Sequence, residues 1–449
     1  MKLKTAFCVL IILAFMGTGS GAFADAAAAS DGAMSLASAR ELALSRSKAL
    51  KQALLAVDAS LLEEKSSRYG TLPYASVAVK GAFDYAGAAS LSLADSAAVS
   101  ATVSVSQTIY DGGENAILLA IDKLATKSAR QQARAAYFDA LLSIDQAYYG
   151  VLEAKAALAA AESDLAASRA HQDITQAKFD SGMVIMASLM EAQAETASKE
   201  TALSQARKSL AVAKSSLKSL TGTDAQPAAI DQATYQAAMD RLMGLGEAEM
   251  ASLVAALRAS ASANNPDLAA ASIAVETAAK EIEQAKVGYA PTLAATWSHT
   301  ATYSAASGLD PASSGALTVA LSIPLDFLVT RNAVETKSVG AAKAALASQA
   351  AADSLELEIE SGIYGLVSSA SSVSSSSKAL DYAEINYDAK LELFKLSKAS
   401  SSDLSDAQLL VSNSRSALIS ARYTFLKGLS ALRCLVGMEA EDLYLGLLR

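Results

Sequence analysis

Two periods organise the apolar positions of this chain. Leu189, Thr196, Leu203, Leu210 and Leu217 recur every seven residues, with Ala206, Ala213 and Leu220 at the intervening positions. The same seam returns as Leu404, Val411, Leu418, Phe425 and Leu432, with Ala421, Gly428 and Leu435 between. A seven-residue repeat with small residues in its second row packs helices into coiled coils, not into a globule. From Glu114 to about Phe179 there is no proline, and only Gly150 breaks the run. That length predicts on the order of 100 Å of helix. The six prolines, at 73, 227, 266, 291, 311 and 324, all fall outside the long helical runs, as helix interiors that keep their N–H donors require.

Four short segments switch to period two. Val77, Val79, Gly81 and Phe83 alternate with Ala78, Lys80, Ala82 and Asp84, and Val99, Ala101, Val103 and Val105 with Ser100, Thr102, Ser104 and Ser106. Later, Leu293, Ala295, Trp297 and Ala301 alternate with Thr292, Ala294, Thr296, Ser298 and Thr300, and Leu317, Val319, Leu321 and Ile323 with Thr318, Ala320 and Ser322. Each segment is about ten residues, the length of a tilted strand that crosses a bilayer. One face is apolar and the other carries hydroxyls, which suits a wall between lipid and water. Tyr74, Tyr85, Tyr110, Trp297 and Tyr303 are read near strand ends, where an aromatic girdle would lie. The hairpins span about 73–110 and 291–325. Four strands do not close a barrel alone, and open edges do not sit in lipid. A membrane reading therefore requires oligomerisation, and three protomers would supply twelve strands.

Both patterns occur twice. Leu189-Met190-Glu191-Ala192-Gln193 is answered 215 residues later by Leu404-Ser405-Asp406-Ala407-Gln408. The same offset carries Phe179 to Phe394, Leu210 to Phe425 and Gly222 to Gly437. The chain is read as a signal peptide (1–24), a first repeat (33–222), a linker or equatorial segment (223–246), a second repeat (247–437) and a C-terminal tail (438–449).

Composition narrows the class. Lys2 and Lys4, the apolar run from Ala6 to Met16, and Ala22-Phe23-Ala24 form a basic region, a short apolar core and a cleavage signal for export. Cys8 lies inside that leader, so Cys434 stands alone in the mature chain and no intramolecular disulfide is available. The formal net charge of −9, or −11 without the two leader lysines, disfavours nucleic acid as a partner. No apolar stretch after residue 24 reaches the length of a membrane helix, so a membrane span would have to be a β-barrel.

With these features in place, the sequence resembles the TolC-like outer-membrane efflux family over nearly all of the mature chain. Asn265-Pro266-Asp267-Leu268, Ala285-Lys286, Tyr289-Ala290-Pro291 and Leu321-Ser322-Ile323-Pro324-Leu325 resemble the family's run around its hairpin, and Gln107-Thr108-Ile109-Tyr110-Asp111-Gly112-Gly113 resembles its strand exit. The resemblance implies a mainly α fold with β. Long antiparallel coiled-coil helices would carry two membrane hairpins per chain, and a homotrimer would form a 12-stranded barrel continued by a helical tunnel. It further implies an exit duct for efflux or secretion, in the outer membrane and extending into the periplasm. The duct would meet outer-membrane lipid and work with a periplasmic adaptor protein and an inner-membrane transporter.

The helix turnarounds carry the candidate site. Asp180-Ser181-Gly182-Met183 breaks the first repeat and Ser397 to Ser402 breaks the second. Asp403 and Asp406 start the last long helix three residues apart, on one face. By the resemblance they ring a constricted entrance, six carboxylates in a trimer, which would favour cations. Acidic residues in a first helical turn also cap the helix and complement its dipole, and both readings stand at this point. Gly182, Met183 and Ser400 are the expected adaptor-contact tips. Two positions depart from the family: relatives carry a basic residue where this chain has Ala399, and often an aspartate where it has Ser188. Closure is therefore expected to be looser or to use other contacts. His171, among polar neighbours in a helix, is expected on a solvated surface, and His299 falls on the outward parity of its strand. No phosphate loop, nucleophile elbow or metal-spaced cluster appears in the sequence, so no enzyme activity, cofactor or metal is expected. The alternative is a structural or adhesive periplasmic coiled-coil protein whose hairpins are soluble β-domains.

Overall fold

A computed structural model of the chain describes residues 33–83, 97–230, 232–304 and 312–438. The expected signal peptide, Tyr85 and the tail from residue 439 lie outside the described residues. In chain order the elements are β1 (Ala33–Met34), α1 (Leu36–Arg46), α2 (Lys48–Tyr69), β2 (Tyr74–Phe83), β3 (Ala97–Tyr110), α3 (Glu114–Asp180) and α4 (Met186–Thr221). There follow β4 (Gln226–Pro227), α5 (Gln232–Gly244), α6 (Glu247–Asn264), α7 (Pro266–Lys286), β5 (Thr292–Ser304), β6 (Ala312–Ser322), α8 (Phe327–Lys395) and α9 (Ser401–Val436). No helix among the described residues is long and apolar enough to cross a membrane.

The long helices are 67 and 69 residues for α3 and α8, about 100 Å each. Each turns back into a partner of 36 residues, α4 or α9. The heptad seam is what they bury. Leu189, Thr196, Leu203 and Leu217 of α4 are buried, as are Leu404, Val411, Leu418, Phe425 and Leu432 of α9. The second seam row, Ala206, Ala213, Leu220, Ala421, Gly428 and Leu435, is half-buried. Each large apolar side chain fully removed from water stabilises by about 1.5–3 kcal/mol. The seam thus fixes the helix pairing without a thick core. Gly222 and Gly437 end α4 and α9 in the left-handed conformation, at φ 71° and 74°, the usual helix stop for a residue without Cβ.

The four long strands form one antiparallel sheet in the order β2-β3-β5-β6. The hairpins are therefore joined through β3 and β5, and β2 and β6 are its edges. The register places Val77 opposite Val103, and Val105 opposite Trp297, which is opposite Leu317. The other face carries paired hydroxyls: Ser76 with Ser104 at 2.8 Å, Thr102 with Thr300 at 2.9 Å, and Ser106 with Thr296 at 3.3 Å. Val77, Val79, Leu317, Val319 and Leu321 are all exposed, so among the described residues no second layer covers the apolar face. Trp297 departs from its expected place near a strand end. It sits mid-strand with its ring stacked on His299, centroids 6.3 Å apart, and His299 shares the apolar parity opposite Val103 and Gly315.

Two sequence motifs shape the junction between sheet and helices. Asp111 accepts hydrogen bonds from the backbone N–H of Gly113 (2.9 Å) and Asn115 (3.0 Å), turning β3 into α3. Gly112 has φ 68°, and a Cβ there would lie 2.4 Å from Ala290 Cβ. Only glycine allows the strand exit to lie against the start of the second hairpin. The Asn265 side chain caps α7 by accepting from the N–H of Asp267 and Leu268, both at 2.9 Å, with Pro266 at the first helical turn. Its amide donates to the Leu435 carbonyl at 2.9 Å, which clamps the end of α9.

Segment 223–246 is not a bare linker. β4 pairs in parallel with β1, and α5 adds Tyr235, Met239 and Leu242 to the largest buried cluster, beside Ile144, Tyr148, Ile359 and Phe425. The Tyr148 hydroxyl lies 3.0 Å from the Met34 carbonyl and 2.9 Å from that of Ala228. This collar thus joins the buried cluster of the helical body.

Candidate functional site

The two helix turnarounds meet at the end of the helical body remote from the sheet. They share one geometry. In the first, Gly182 N–H donates to Phe179 O and Met183 N–H to Lys178 O, both at 2.8 Å. In the second, Ser397 N–H donates to Phe394 O at 3.0 Å and Lys398 N–H to Leu393 O at 2.8 Å. Gly182 has φ 71° and Ser397 has φ 57°. A serine at positive φ is strained, because its Cβ crowds the following carbonyl.

Lys178 ties the turns together. Its ammonium donates to the Phe394 carbonyl and to Ser397 Oγ at 3.2 Å, and lies 4.1 Å from the centre of the Phe394 ring. Burial pushes its pKa down from the usual lysine value. An ammonium at a helix C-terminus satisfies carbonyls left over by the helix and opposes its dipole. Lys178→Ala is expected to raise amide hydrogen exchange in residues 390–400 by roughly tenfold, since charged hydrogen bonds contribute about 1.5–3 kcal/mol each. Unchanged exchange there, measured by mass spectrometry, would remove Lys178 from this role.

Asp403 is engaged in capping its own helix. Ser400 Oγ accepts from the Asp403 N–H at 3.1 Å, and the Asp403 carboxylate accepts from the Ser400 N–H at 3.0 Å and hydroxyl at 2.7 Å. Lys390 stands 3.3 Å from its other oxygen. The Ser400 hydroxyl first, then the Ser400 N–H and Lys390, hold the Asp403 carboxyl down at about 2. The cap therefore contributes above the ordinary carboxylate range and is lost only as pH falls towards about 2. Asp406, one turn on, is exposed, and so is Met183. The structure thus places Gly182, Met183, Ser400, Asp403 and Asp406 at one end of the molecule. Met183 Sδ is 4.0 Å from Ser397 Oγ across the two turns.

His171 corrects the sequence reading. It is not on a solvated surface but is 1% exposed. Its Nε2 is 3.0 Å from Ser401 Oγ and its Nδ1 3.6 Å from Glu195 Oε2, with the ring edge-on to Phe394 at 5.3 Å. Glu195 in turn accepts a hydrogen bond from Ser405. Burial pushes the Glu195 pKa up, but the neighbouring His171 ring, the Ser405 hydrogen bond and the charge of Lys199 outweigh it, leaving the pKa below its usual value. One side chain thus touches α4, α8 and α9 from α3.

Further contacts continue this seam between α3 and α9. The Asp164 carbonyl accepts from Gln408 Nε2 at 3.1 Å, and its carboxylate from Ser412 and from Arg415 at 3.4 Å. Glu153 pairs with Lys427 at 2.6 Å. Asp145, with no exposed side chain, binds Arg40 at 2.7 and 2.8 Å and Arg433 at 2.9 Å. None of these partners stood out in the sequence. The polar residues of α3 facing α9 recur near heptad spacing, His171 to Asp164, and that period was the available signal. Among the described residues no group of His, Cys, Asp or Glu could hold a metal ion.

This architecture defines a class: long antiparallel helices bearing a four-stranded sheet at one end. Solved outer-membrane proteins share the fold. VceC of Vibrio cholerae aligns over 90% of this chain and 96% of its own, at 15% identity and TM-score 0.73. The Campylobacter jejuni CmeC outer membrane channel aligns over 90% and 85%, at 15% identity and 0.74. The open-state Neisseria gonorrhoeae MtrE channel aligns over 90% and 89%, at 16% identity and 0.70. No curated protein matches the sequence. The family model for outer membrane efflux proteins matches residues 39–223 and 257–438, and the chain belongs to that family.

Proposed function

We propose that this protein is a passive exit duct of the outer membrane. It works as a homotrimer with a periplasmic adaptor protein and an inner-membrane transporter, and its helical body extends into the periplasm. The observation that carries this reading is the sheet. Among the described residues it has two unpaired edges, one uncovered apolar face and one hydroxyl face, at the end of helices about 100 Å long. Lipid tolerates neither open edges nor unsatisfied backbone, and three copies joined edge to edge give a closed 12-stranded barrel. The helices support the same assembly. Leu55 and Leu62 on α2, and Val339 and Leu346 on α8, are exposed pairs at seven-residue spacing. Such pairs are half-seams that a neighbouring protomer completes.

The two hairpin-and-helix units are read as copies of one ancestral unit, 33–222 and 247–437, with 223–246 as the collar segment. Residues 1–24 are read as the export signal. The turnaround end is the periplasmic entrance, with Gly182, Met183 and Ser400 at the adaptor-contact tips. Asp403 and Asp406 supply an acidic ring there, although Asp403 also caps α9.

Fractionation tests the duct. The protein should sediment with outer membranes as a carbonate-resistant, heat-modifiable oligomer, whereas release as a soluble species would favour a periplasmic coiled-coil protein. The ring is tested in reconstituted channels. Asp403→Ala with Asp406→Ala should reduce the cation-over-anion permeability ratio several-fold, and an unchanged ratio removes both residues from the conduction path.

A further inference from the structure

We infer that His171 and Glu195 form a proton-responsive clamp that tightens the seam between the two helical coils at the turnaround end in mild acid. The inference rests on the duct reading for its consequence, but not for its geometry. His171 sits on α3 in the first coil and Ser401 on α9 in the second, 230 residues apart in sequence. Glu195, on α4 of the first coil, accepts from Ser405 of α9. The imidazole and the carboxylate therefore each hold a hydroxyl of the opposite coil while facing one another at 3.6 Å.

The groups around the ring decide the direction. From α4 the ring meets the Glu195 carboxylate, with Lys199 acting on it from the next turn. From α8 it meets the uncharged Phe394 edge, with the Tyr387 phenol near enough to feel the Glu195 charge. From α9 it meets the Ser401 hydroxyl, while the Asp403 carboxylate is turned to Ser400 and Lys390. From α3 itself, Lys178 approaches the same Phe394 ring. The charge closest to the ring is thus an anion that is 15% exposed. His171 Nδ1 has no hydrogen-bond partner. A neutral imidazole has one N–H to share between its neighbours. The imidazolium donates at both nitrogens, to Ser401 and to Glu195, and neutralises a half-enclosed carboxylate. Imidazoles change charge between about pH 5 and 8, whereas ordinary carboxylates titrate near 4. Asp403, held down at about 2, stays charged throughout that range.

Two measurements on the full-length protein in detergent or lipid test it. Hydrogen-exchange protection factors of residues 171–180 and 401–408 should rise at least fivefold from pH 8 to pH 5.5 in the wild type. They should stay level in His171→Phe, whose ring still packs on Phe394. Glu195→Gln keeps an acceptor for Ser405 but removes the charge, and should also flatten the response. If His171→Phe fails to fold, protection collapses throughout the chain and Glu195→Gln decides the matter. Single-channel conductance in planar bilayers should fall at least twofold over the same pH range in the wild type only. A pH response retained in both variants, absent from the wild type, or opposite in sign overturns the clamp. Absence of conductance at every pH overturns the duct reading and leaves the exchange result to judge the clamp.

Discussion

Asp145→Ala is expected to lower the unfolding free energy by about 3–5 kcal/mol, the cost of breaking a buried ion pair from one side. Asp145 is fully buried and is held by Arg40 from α1 and Arg433 from α9. It joins the N-terminal helix, the longest helix of the first half and the last helix of the second half at the collar. Both guanidiniums bind this one carboxylate, so removing it takes an ionic partner from each of them at once. Circular dichroism against denaturant should show an earlier midpoint with little change in the folded spectrum. Asp145→Asn keeps the shape and some hydrogen bonds and should recover only part of the loss. Combining Asp145→Leu with Arg40→Met and Arg433→Met should recover more than Asn does, because an apolar replacement of a whole buried ionic group is often close to neutral. A midpoint within error of wild type for Asp145→Ala would mean that water reaches this site.

The second large effect is placed on the sheet. Val319→Arg should destabilise the membrane form by about 2–4 kcal/mol if Val319 lies near the bilayer midplane, the range for a basic residue facing lipid there. Val319 is exposed on edge strand β6, opposite Ala295. Its neighbour Thr318 lies opposite Thr296, which bonds Ser106 on the hydroxyl face. Thr318→Arg on that face should be tolerated, because the duct reading places it towards water. The measurement is the yield of heat-modifiable oligomer in outer membranes for the two variants. Equal yields would show that the two faces meet the same solvent, and the barrel would have to be abandoned.

The periodic features were legible for a physical reason. A heptad seam and a period-two strand are read from neighbours three, four or two residues away, so local sequence carries the signal. The buried Leu404-to-Leu432 row and the alternation of Val77 and Val79 needed no tertiary knowledge. Cross-chain registers were less legible. The pairing of β3 with β5, which makes one sheet from two hairpins, joins residues nearly 200 positions apart, as Thr102 and Thr300 show. Segment 223–246 read only as a linker or equatorial segment, because its helix, α5, is short and its two-residue strand carries no periodic signal.

At the turnarounds the division is sharper. Glycine at 182 and serine at 397 marked both breaks, and the aspartates of α9 marked a helix start, because caps and turns are local chemistry. The sequence by itself thus determined the helices, the strand faces, the seam residues and the two breaks. Tertiary structure decided which polar residues are buried. His171 looks solvated among its helical neighbours, yet α4, α8 and α9 close over it, and its partners Glu195 and Ser401 are set by the antiparallel meeting of two coils. Lys178 and Asp145 follow the same rule. A polar residue's role depends on the group that faces it across the packing, and the spacing along its own helix does not encode that partner.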